Sequence, residues 1–542
     1  MATSTQACRR VHTKAMSDIA QEYLIPDGTS SQDIKDLIKA RRHFSEEPAQ
    51  EVTKRFLDSF DWSVYLAGAS VEERLNSGRR QLLWHDLTAD TPPCRQVIDQ
   101  DPGFAWDLPE GPVRKRIGPI LGIRRLLPLL EVKGRVQILR LLDDDDKTVV
   151  RLLLEDNRFR DPVRDREGPL AVRLRLLPVR GYEEYLREMA KMLDQDLGLQ
   201  PAHTTVLPEA LAAAGRHPGD YTSKLDYHLD PDKRADASTK EIMLGLLDTL
   251  EANVEGTRAN LDTEFLHDLR VATRRTRSAL TQIKGVFAPE LVADYKTRFA
   301  WLQQVTGPVR DLDVYLLDFD SYQNSLPVPL RPHLEPMRDF LAGHYNSTQK
   351  KLVRALGSAK FKSLLKSWRA FLEAPVPERS AVPNAMRPTK EVADSRIWSM
   401  YRRVRKEGRA IVSDSPAEDL HELRKSCKKL RYLLEFFSSL YPKKEVGVLV
   451  KLLKVLLENL GKFQDLAVQA DHLREMAQQM RDEGLANTDT LLAMGVLVGD
   501  LFIRQERARV EFAEIFARFD TKDHQAMFRE LFASEKKRGQ RL

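Results

Sequence analysis

Residues 267–277 read HDLRVATRRTR, and residues 421–431 read HELRKSCKKLR. The second stretch repeats the first at a constant offset, 421 − 267 = 154, without a gap. Arg270 meets Arg424, Arg274 meets Lys428, Arg275 meets Lys429, and Arg277 meets Arg431. The same offset lays GPVRDLDV (307–314) over GKFQDLAV (461–468), matching Gly307 with Gly461 and Asp311 with Asp465. Charge type and spacing kept over that distance mark one structural unit written twice.

At about 100° per residue, His267, Arg270, Arg274 and Arg277 fall within an arc of about 80° on a helix. Leu266, Leu269, Ala272, Leu280 and Ile283 form an apolar stripe beside them. His421, Arg424, Lys428 and Arg431 superpose on the same arc, next to Leu420, Leu423, Leu430, Leu434 and Phe437. Each copy thus predicts an amphipathic helix with one face for a bundle core and a row of cations alongside.

Like charges at i,i+4 repel by only a few tenths of a kcal/mol when exposed, and by more when desolvated. Such a row calls for an anionic counterpart. Asp268, Asp311, Asp313, Glu422 and Asp465 supply an internal one, as a salt-bridge network; an external polyanion is the other source. Only Asp268 is near the first row in sequence and only Glu422 near the second, which contains Lys425 and Lys429 besides the matched cations. Repetition of that surplus favours an external ligand. Each His precedes an Arg by one turn and can cap the helix or donate to a phosphate oxygen, gaining charge as pH falls toward about 6.5. No second His or carboxylate stands at metal-ligand spacing in either copy, so no metal is expected there. Asp311 and Asp465 are read as carboxylates that orient a basic partner, or as parts of a turn. Arg310 is a weaker candidate because Gln464 takes its place in the second copy.

Working outward, the chain has 542 residues, 42% hydrophobic and 31% charged, and can build several globular cores. Its net charge of +6 comes from 86 Lys+Arg against 80 Asp+Glu, so only local clustering speaks to a polyanionic partner. Cys8, Cys94 and Cys427 are too scattered for a disulfide framework or a zinc ribbon, which fits a reducing compartment. The most apolar stretch, 446–460, is broken by Lys451, Lys454 and Glu458, so no membrane span is expected. The opening MATSTQACRRVHTKAM lacks the apolar core of a secretory signal, and a cytoplasmic location is expected.

Sequence character divides the chain. Residues 1–16 are expected to be disordered, and 17–200 to form an α+β domain. There Leu170, Val172, Leu174 and Leu176 are apolar with Arg173 and Arg175 between them, as a half-buried strand requires. Candidate strands at 132–142 and 148–154 flank the acidic run 143–146, read as a solvated hairpin tip. Short helices are expected at 32–40 and 182–193. Residues 201–236 read as a linker, 237–373 as the first helical half, 374–392 as a Pro-rich linker, and 393–542 as the second helical half.

The duplicated motif resembles the CHAD family, the conserved-histidine α-helical domain, through H-x-x-R-x-x-x-R-R-x-R and H-x-x-R-K-x-x-K-K-x-R. The passages LQQVTGPVRDLDVYL and LLENLGKFQDLAV also resemble that family. The resemblance covers residues from about 240 to the C-terminus. It implies an all-α domain of two pseudo-symmetric four-helix bundles, with basic helices around a central channel that binds inorganic polyphosphate. The implied contacts are His267, Arg270, Arg274, Arg275, Arg277, Arg310, His421, Arg424, Lys425, Lys428, Lys429 and Arg431. Polyphosphate offers monotonous charge and no bases to stack, and aromatics make up 7% of the chain with none inside the first motif. Single-strand nucleic-acid binders usually add stacking side chains, which weighs against that partner.

The α+β part resembles the CYTH, or triphosphate-tunnel, family at 53–75, 123–142 and 171–186. Active members carry paired inward carboxylates for a divalent metal. Here the opening strand offers only Glu22, and Arg173 and Arg175 stand where acids are expected. A degenerate, antiparallel, tunnel-like domain without hydrolase activity follows, because a metal-assisted hydrolysis would have nothing to hold its ion. Arg55, Arg74, Arg135, Arg140 and Arg151 are then either an auxiliary anion surface or ordinary solvated strand faces. The expected function is polyphosphate binding, with recruitment to polyphosphate granules and no cofactor. A metal-dependent triphosphatase or polyphosphate hydrolase and a nucleic-acid binder are the alternatives.

Overall fold

The computed structural model describes residues 21–26, 28–76, 79–88, 91–202, 205–225 and 227–533, and the stretch 1–16 lies outside them. The chain divides into two units after Tyr221.

Period-two alternation in the first unit builds strands β1 (Glu22–Leu24), β2 (Phe44–Glu46), β3 (Gln50–Asp58) and β4 (Ala69–Asn76). β5 (Arg79–Asp86), β6 (Cys94–Ile98), β7 (Leu127–Leu142) and β8 (Thr148–Asp161) follow. β9 (Arg166–Pro169), β10 (Arg173–Pro178) and β11 (Gln200–Pro201) complete the set. They form one open antiparallel sheet in the order β11-β1-β10-β8-β7-β3-β4-β5-β6, with β2 beside β7 and β9 beside β8. The acidic run is the exposed tip between β7 and β8. It closes through a bond from the Asp143 amide to the Lys147 carbonyl at 3.0 Å, with Asp146 in the left-handed region at φ 61°.

Among the described residues five α-helices accompany the sheet: α1 (Ser31–Lys39), α2 (Ser63–Leu66), α3 (Pro112–Leu121), α4 (Glu183–Lys191) and α5 (Val206–Ala214). The last corrects the expectation of a linker from 201. Leu207, Ala210, Leu211 and Ala214 recur at helical spacing and bury against Phe56, Val132 and Phe159. Pro208 masks the pattern in the sequence, yet a proline in the first turn lacks only an N–H that would go unused there.

The second unit is helical: α6 (Ala235–Ala252), α7 (Val254–Arg258), α8 (Thr263–Gln282), α9 (Pro289–Val305), α10 (Gly307–Leu317) and α11 (Phe319–Ser325). Then come α12 (Glu335–Gly357), α13 (Ala359–Glu373), α14 (Thr389–Ala410), α15 (Ala417–Phe436), α16 (Lys443–Asp482), α17 (Thr488–Phe519) and α18 (Lys522–Phe532). No helix here is long and apolar enough to cross a membrane among the described residues.

The repeat is written in the helix boundaries. The starts of α6 and α14, of α8 and α15, and of α9 and α16 differ by 389 − 235, 417 − 263 and 443 − 289, each 154. The second half therefore begins at Thr389 rather than at 393, immediately after Pro388. The copies differ at one joint. Pro308 stops α9 from running into α10, because it has no N–H for the helix and its ring crowds the preceding turn. Lys462 stands at the matching position, and α16 continues unbroken for 40 residues. The apolar core does not segregate by repeat. One cluster joins Leu246, Leu269 and Phe299 to Leu423, Leu449 and Phe516; another joins Tyr315 and Leu341 to Leu473 and Leu497.

Candidate functional site

α8 and α15 pack against each other, so the two basic rows come from facing copies of one element. Asp262 caps α8 by accepting from the amides of Glu264 and Phe265, which fixes where the first row begins. The apolar stripes of both helices are buried as expected: Leu266, Leu269 and Ala272 on one, Leu420, Leu423 and Leu430 on the other.

Paired arginines of the two rows do different work. Arg270 donates from Nη1 to the Gln303 carbonyl at 3.0 Å and to Thr306 Oγ1 at 2.9 Å. These groups end α9, where the break before Pro308 leaves carbonyls without helical partners, and a cation there is favourable. Its mate Arg424 faces an unbroken helix and instead donates from Nη2 to Asp465 at 2.9 Å. Both lie against the matched glycines: a side chain at Gly307 would meet Arg270 Nη1 at 3.6 Å, and one at Gly461 would meet Arg424 Nη2 at the same distance. Burial, with Arg274 and Arg310 nearby, lowers Arg270 to about 10 against the pull of Asp311.

Among the described residues Lys428 is the most perturbed amine. Burial lowers it to about 8, and the charges of Arg424, Arg274 and Arg431 add to the shift, opposed only by Asp465. Arg274 thus acts on both Arg270 in its own repeat and Lys428 in the other. Among the described residues, Arg274, Arg277 and Lys428 have no carboxylate at ion-pair distance. Arg277 and Arg424 each bury an Nε–H that meets no hydrogen-bond acceptor there. Like charges are thus gathered under partial burial, with donors to spare and a local surplus of positive charge.

Other expected residues serve elsewhere. Arg275 donates to the Ser223 carbonyl at 2.7 Å and pairs with Glu435 at 3.5 Å. Glu435 also pairs with Arg431 at 3.3 Å, and so ties the repeats together. Lys425 is paired with Glu422, and Lys429 is surrounded by Arg403, Glu422, Lys425 and Glu407. Arg310 reaches the Thr263 carbonyl at 3.4 Å and Glu264 at 3.9 Å. His421 Nδ1 lies 2.9 Å from Gln464 Oε1, and His267 is half-buried on α8. Asp311 is pushed up by burial, against Arg270, His472 and Arg310. Glu435, Gln464 and His472 were not singled out from sequence; only Glu435 gave a signal, standing four residues after Arg431 on one helix face.

In the first unit, cross-strand pairing brings a second charged constellation onto one sheet face. Glu22 lies opposite Arg175, Arg173 opposite Glu155, and Lys54 opposite Arg74. Lys54 meets Glu155 at 2.6 Å with both side chains almost fully buried. Arg173, 1% exposed, is held by Glu22 at 2.7 Å and by Glu209, while Arg175 reaches Glu155 at 3.4 Å. Arg74 pairs with Glu72, Arg55 with Glu73 and Asp101, and Arg140 with Glu47; Arg135 and Arg151 are exposed. Arg55, Arg74 and Arg140 are therefore parts of ion pairs. Among the described residues no group of three or more His, Cys, Asp or Glu side chains is placed to hold a metal ion.

Residues 241–474 match the model of the CHAD domain family. Two uncharacterized proteins, from two strains of Mycobacterium tuberculosis, are 29% identical over 307 residues, covering 53% of this chain and 54% of their own. The chain thus spans about half the length of the curated relatives it matches. Among solved structures, the CHAD domain from the plant Ricinus communis is 24% identical with a TM-score of 0.46, covering 54% of this chain and 95% of that one. PptA from Streptomyces chartreusis is 17% identical with a TM-score of 0.42, covering 52% and 99%. A candidate adenylate cyclase from Bacillus halodurans is 12% identical with a TM-score of 0.25, covering 35% and 93%. The duplicated basic helices fall inside the residues of the helical unit that match the CHAD domain family.

Proposed function

We propose that this chain is a non-enzymatic binder of inorganic polyphosphate, and that the ligand lies along the seam between α8 and α15. The observation that carries this reading is the crowding of Lys428 by Arg274, Arg424 and Arg431 from both repeats. Such a cluster is unfavourable alone and is relieved by an anion long enough to touch both helices. Arg270, Arg274, Arg277, Arg424, Lys428 and Arg431 form the contact set, with His267 and His421 one turn before the first cation of each row. Arg275, Lys425 and Lys429 contribute mainly to structure. Asp465 holds Arg424, and the end of α9 holds Arg270, until the ligand arrives. A cytoplasmic chain of this kind would be drawn to polyphosphate granules by its ligand.

Hydrolysis of triphosphate by the first unit is the less favoured reading. Glu22 and Glu155 are engaged by Arg173, Arg175 and Lys54 and have no charge to spare for a divalent ion. The test is to replace Arg270, Arg274, Arg424 and Lys428 together by Ala. Helicity should persist and polyphosphate binding should disappear; retained binding would make the cluster purely structural.

A further inference from the structure

The first unit holds a cavity of about 550 Å³ whose lining shares no residue with the basic seam or with the paired charges of the sheet face. Lys39, Arg41, Arg42, His43 and Phe44 line it, and no carboxylate does. Local geometry gathers these cations. Where α1 ends, the amides of Arg41 and Arg42 both donate to the Ile38 carbonyl, at 3.0 and 2.9 Å, and fold the turn back on the helix. On the other side the Leu142 amide donates to the His43 carbonyl at 3.1 Å, and Phe44 enters β2 with its ring buried. The helix end accounts for part of this charge, since cations are favourable there and Arg41 Nη1 donates to the Leu37 carbonyl at 3.1 Å. It does not account for Arg42 and His43, which lie beyond α1 on the way into β2. Glu46 holds Lys39 at 3.2 Å, and Glu188 on α4 holds Arg42 at 3.1 Å. Among the described residues Arg41 and His43 have no carboxylate at ion-pair distance.

We propose that this cavity binds a small phosphate anion, of which inorganic pyrophosphate is the simplest, independently of the seam between α8 and α15. Its volume is that of a small-molecule site. The guanidinium forks of Arg41 and Arg42 match pairs of phosphate oxygens, and the Lys39 ammonium and His43 imidazole add donors from the same wall. The acidic run sets the size of the ligand. Asp143 follows directly on Leu142, so a long polyanion leaving the cavity past His43 runs into Asp143–Asp146, whereas a compact one does not. The first unit would therefore take small phosphates and leave the long polymer to the helical unit.

The test titrates pyrophosphate by calorimetry into the full-length Arg270, Arg274, Arg424 and Lys428 quadruple Ala variant, whose seam is disabled. That variant should still bind pyrophosphate. Adding Arg41→Gln and His43→Gln should weaken binding by about tenfold or more with unchanged circular dichroism, since both positions are exposed. Glu188→Gln, which releases Arg42, should tighten it. In the wild-type chain pyrophosphate should slow phenylglyoxal modification of Arg41 and Arg42, read by mass spectrometry, which needs no variant to fold. No pyrophosphate binding by the quadruple variant overturns the proposal, and so does binding that Arg41→Gln and His43→Gln leave unchanged. Modification that pyrophosphate does not slow, or capture of phosphatidic-acid vesicles without pyrophosphate binding, overturns it equally. Because the seam cations are absent from the titrated protein, failure here is distinct from failure of the polyphosphate reading.

Discussion

Replacing Lys428 by methionine should make the empty protein more stable while weakening its hold on polyphosphate. Methionine keeps the length and apolar stem of the side chain and deletes only the charge. Lys428 titrates at about 8 in the folded chain against an ordinary 10.5, because burial and the neighbouring Arg424, Arg274 and Arg431 oppose its protonation. At about 1.36 kcal/mol per pH unit, holding the proton at neutral pH costs on the order of 3 kcal/mol. Partial solvent access reduces this to roughly 1–2 kcal/mol. The sign follows from linkage. Between about pH 8 and 10.5 the unfolded chain binds the proton that the folded chain has shed, so wild-type stability rises with pH across that window. The Lys428→Met variant has no such slope. Thermal denaturation at pH 7 should therefore place the variant one to several degrees above the wild type, and added salt should narrow the gap by screening the repulsion. Polyphosphate should reverse the order, since a bound anion restores the amine toward its ordinary value. Calorimetry near pH 8 in buffers of different ionisation enthalpy should then show uptake of about half a proton by the wild type and less by the variant. A variant that is no more stable, binds polyphosphate as before and takes up the same number of protons would refute the reasoning.

Three further outcomes are expected. Gly461→Ala should stabilise the long helix α16 by up to about 1 kcal/mol, because its new carbon meets Arg424 at an ordinary 3.6 Å; Gly461→Val should displace that guanidinium and weaken binding, both read by melting and titration. Lys54→Met should cost about 3 kcal/mol by leaving the buried Glu155 with only the longer contact to Arg175, and the double variant Lys54→Met/Glu155→Leu should recover part of the loss in a denaturant titration. Asp313, 2% exposed, is pushed up to about 6 by burial, with Tyr345 and Arg310 only partly offsetting it. Its contribution to stability is therefore greatest below about pH 4 and is lost as pH rises through 6, so Asp313→Asn should gain over the wild type across that window and stay ahead at pH 7.5.

The helical unit was legible because its information is local and written twice. The offset of 154 between two histidines also sets the starts of three helix pairs, and Pro308 against Lys462 accounts for the one place where the copies diverge. Which arginine would meet a ligand was less legible. Arg270 and Arg424 are equivalent in sequence, yet one caps α9 and the other pairs with Asp465, since the helix each faces is broken in one copy and continuous in the other. Arg275 looked like its neighbours until Glu435, distant in sequence, proved to be its partner. In the first unit, alternation revealed strands but not their register. Cross-strand pairing is what sets Arg173 beside Glu155 and turns isolated charges into a closed ionic lattice. α5 escaped notice because Pro208 and its flanking Pro and Gly residues read as a loop, although its Leu and Ala spacing was helical.

The central claim is that the seam between α8 and α15 selects polyphosphate. The most direct measurement titrates the full chain and its Arg270, Arg274, Arg424 and Lys428 quadruple Ala variant with long-chain polyphosphate, duplex DNA and single-stranded DNA at two salt concentrations. The wild type should bind polyphosphate more tightly than either DNA at matched charge. Its affinity should fall steeply with salt, as counterion release requires, and the variant should lose both the affinity and most of the salt slope. Equal affinity of the wild type for all three polyanions, or undiminished polyphosphate binding by the variant, would contradict the claim.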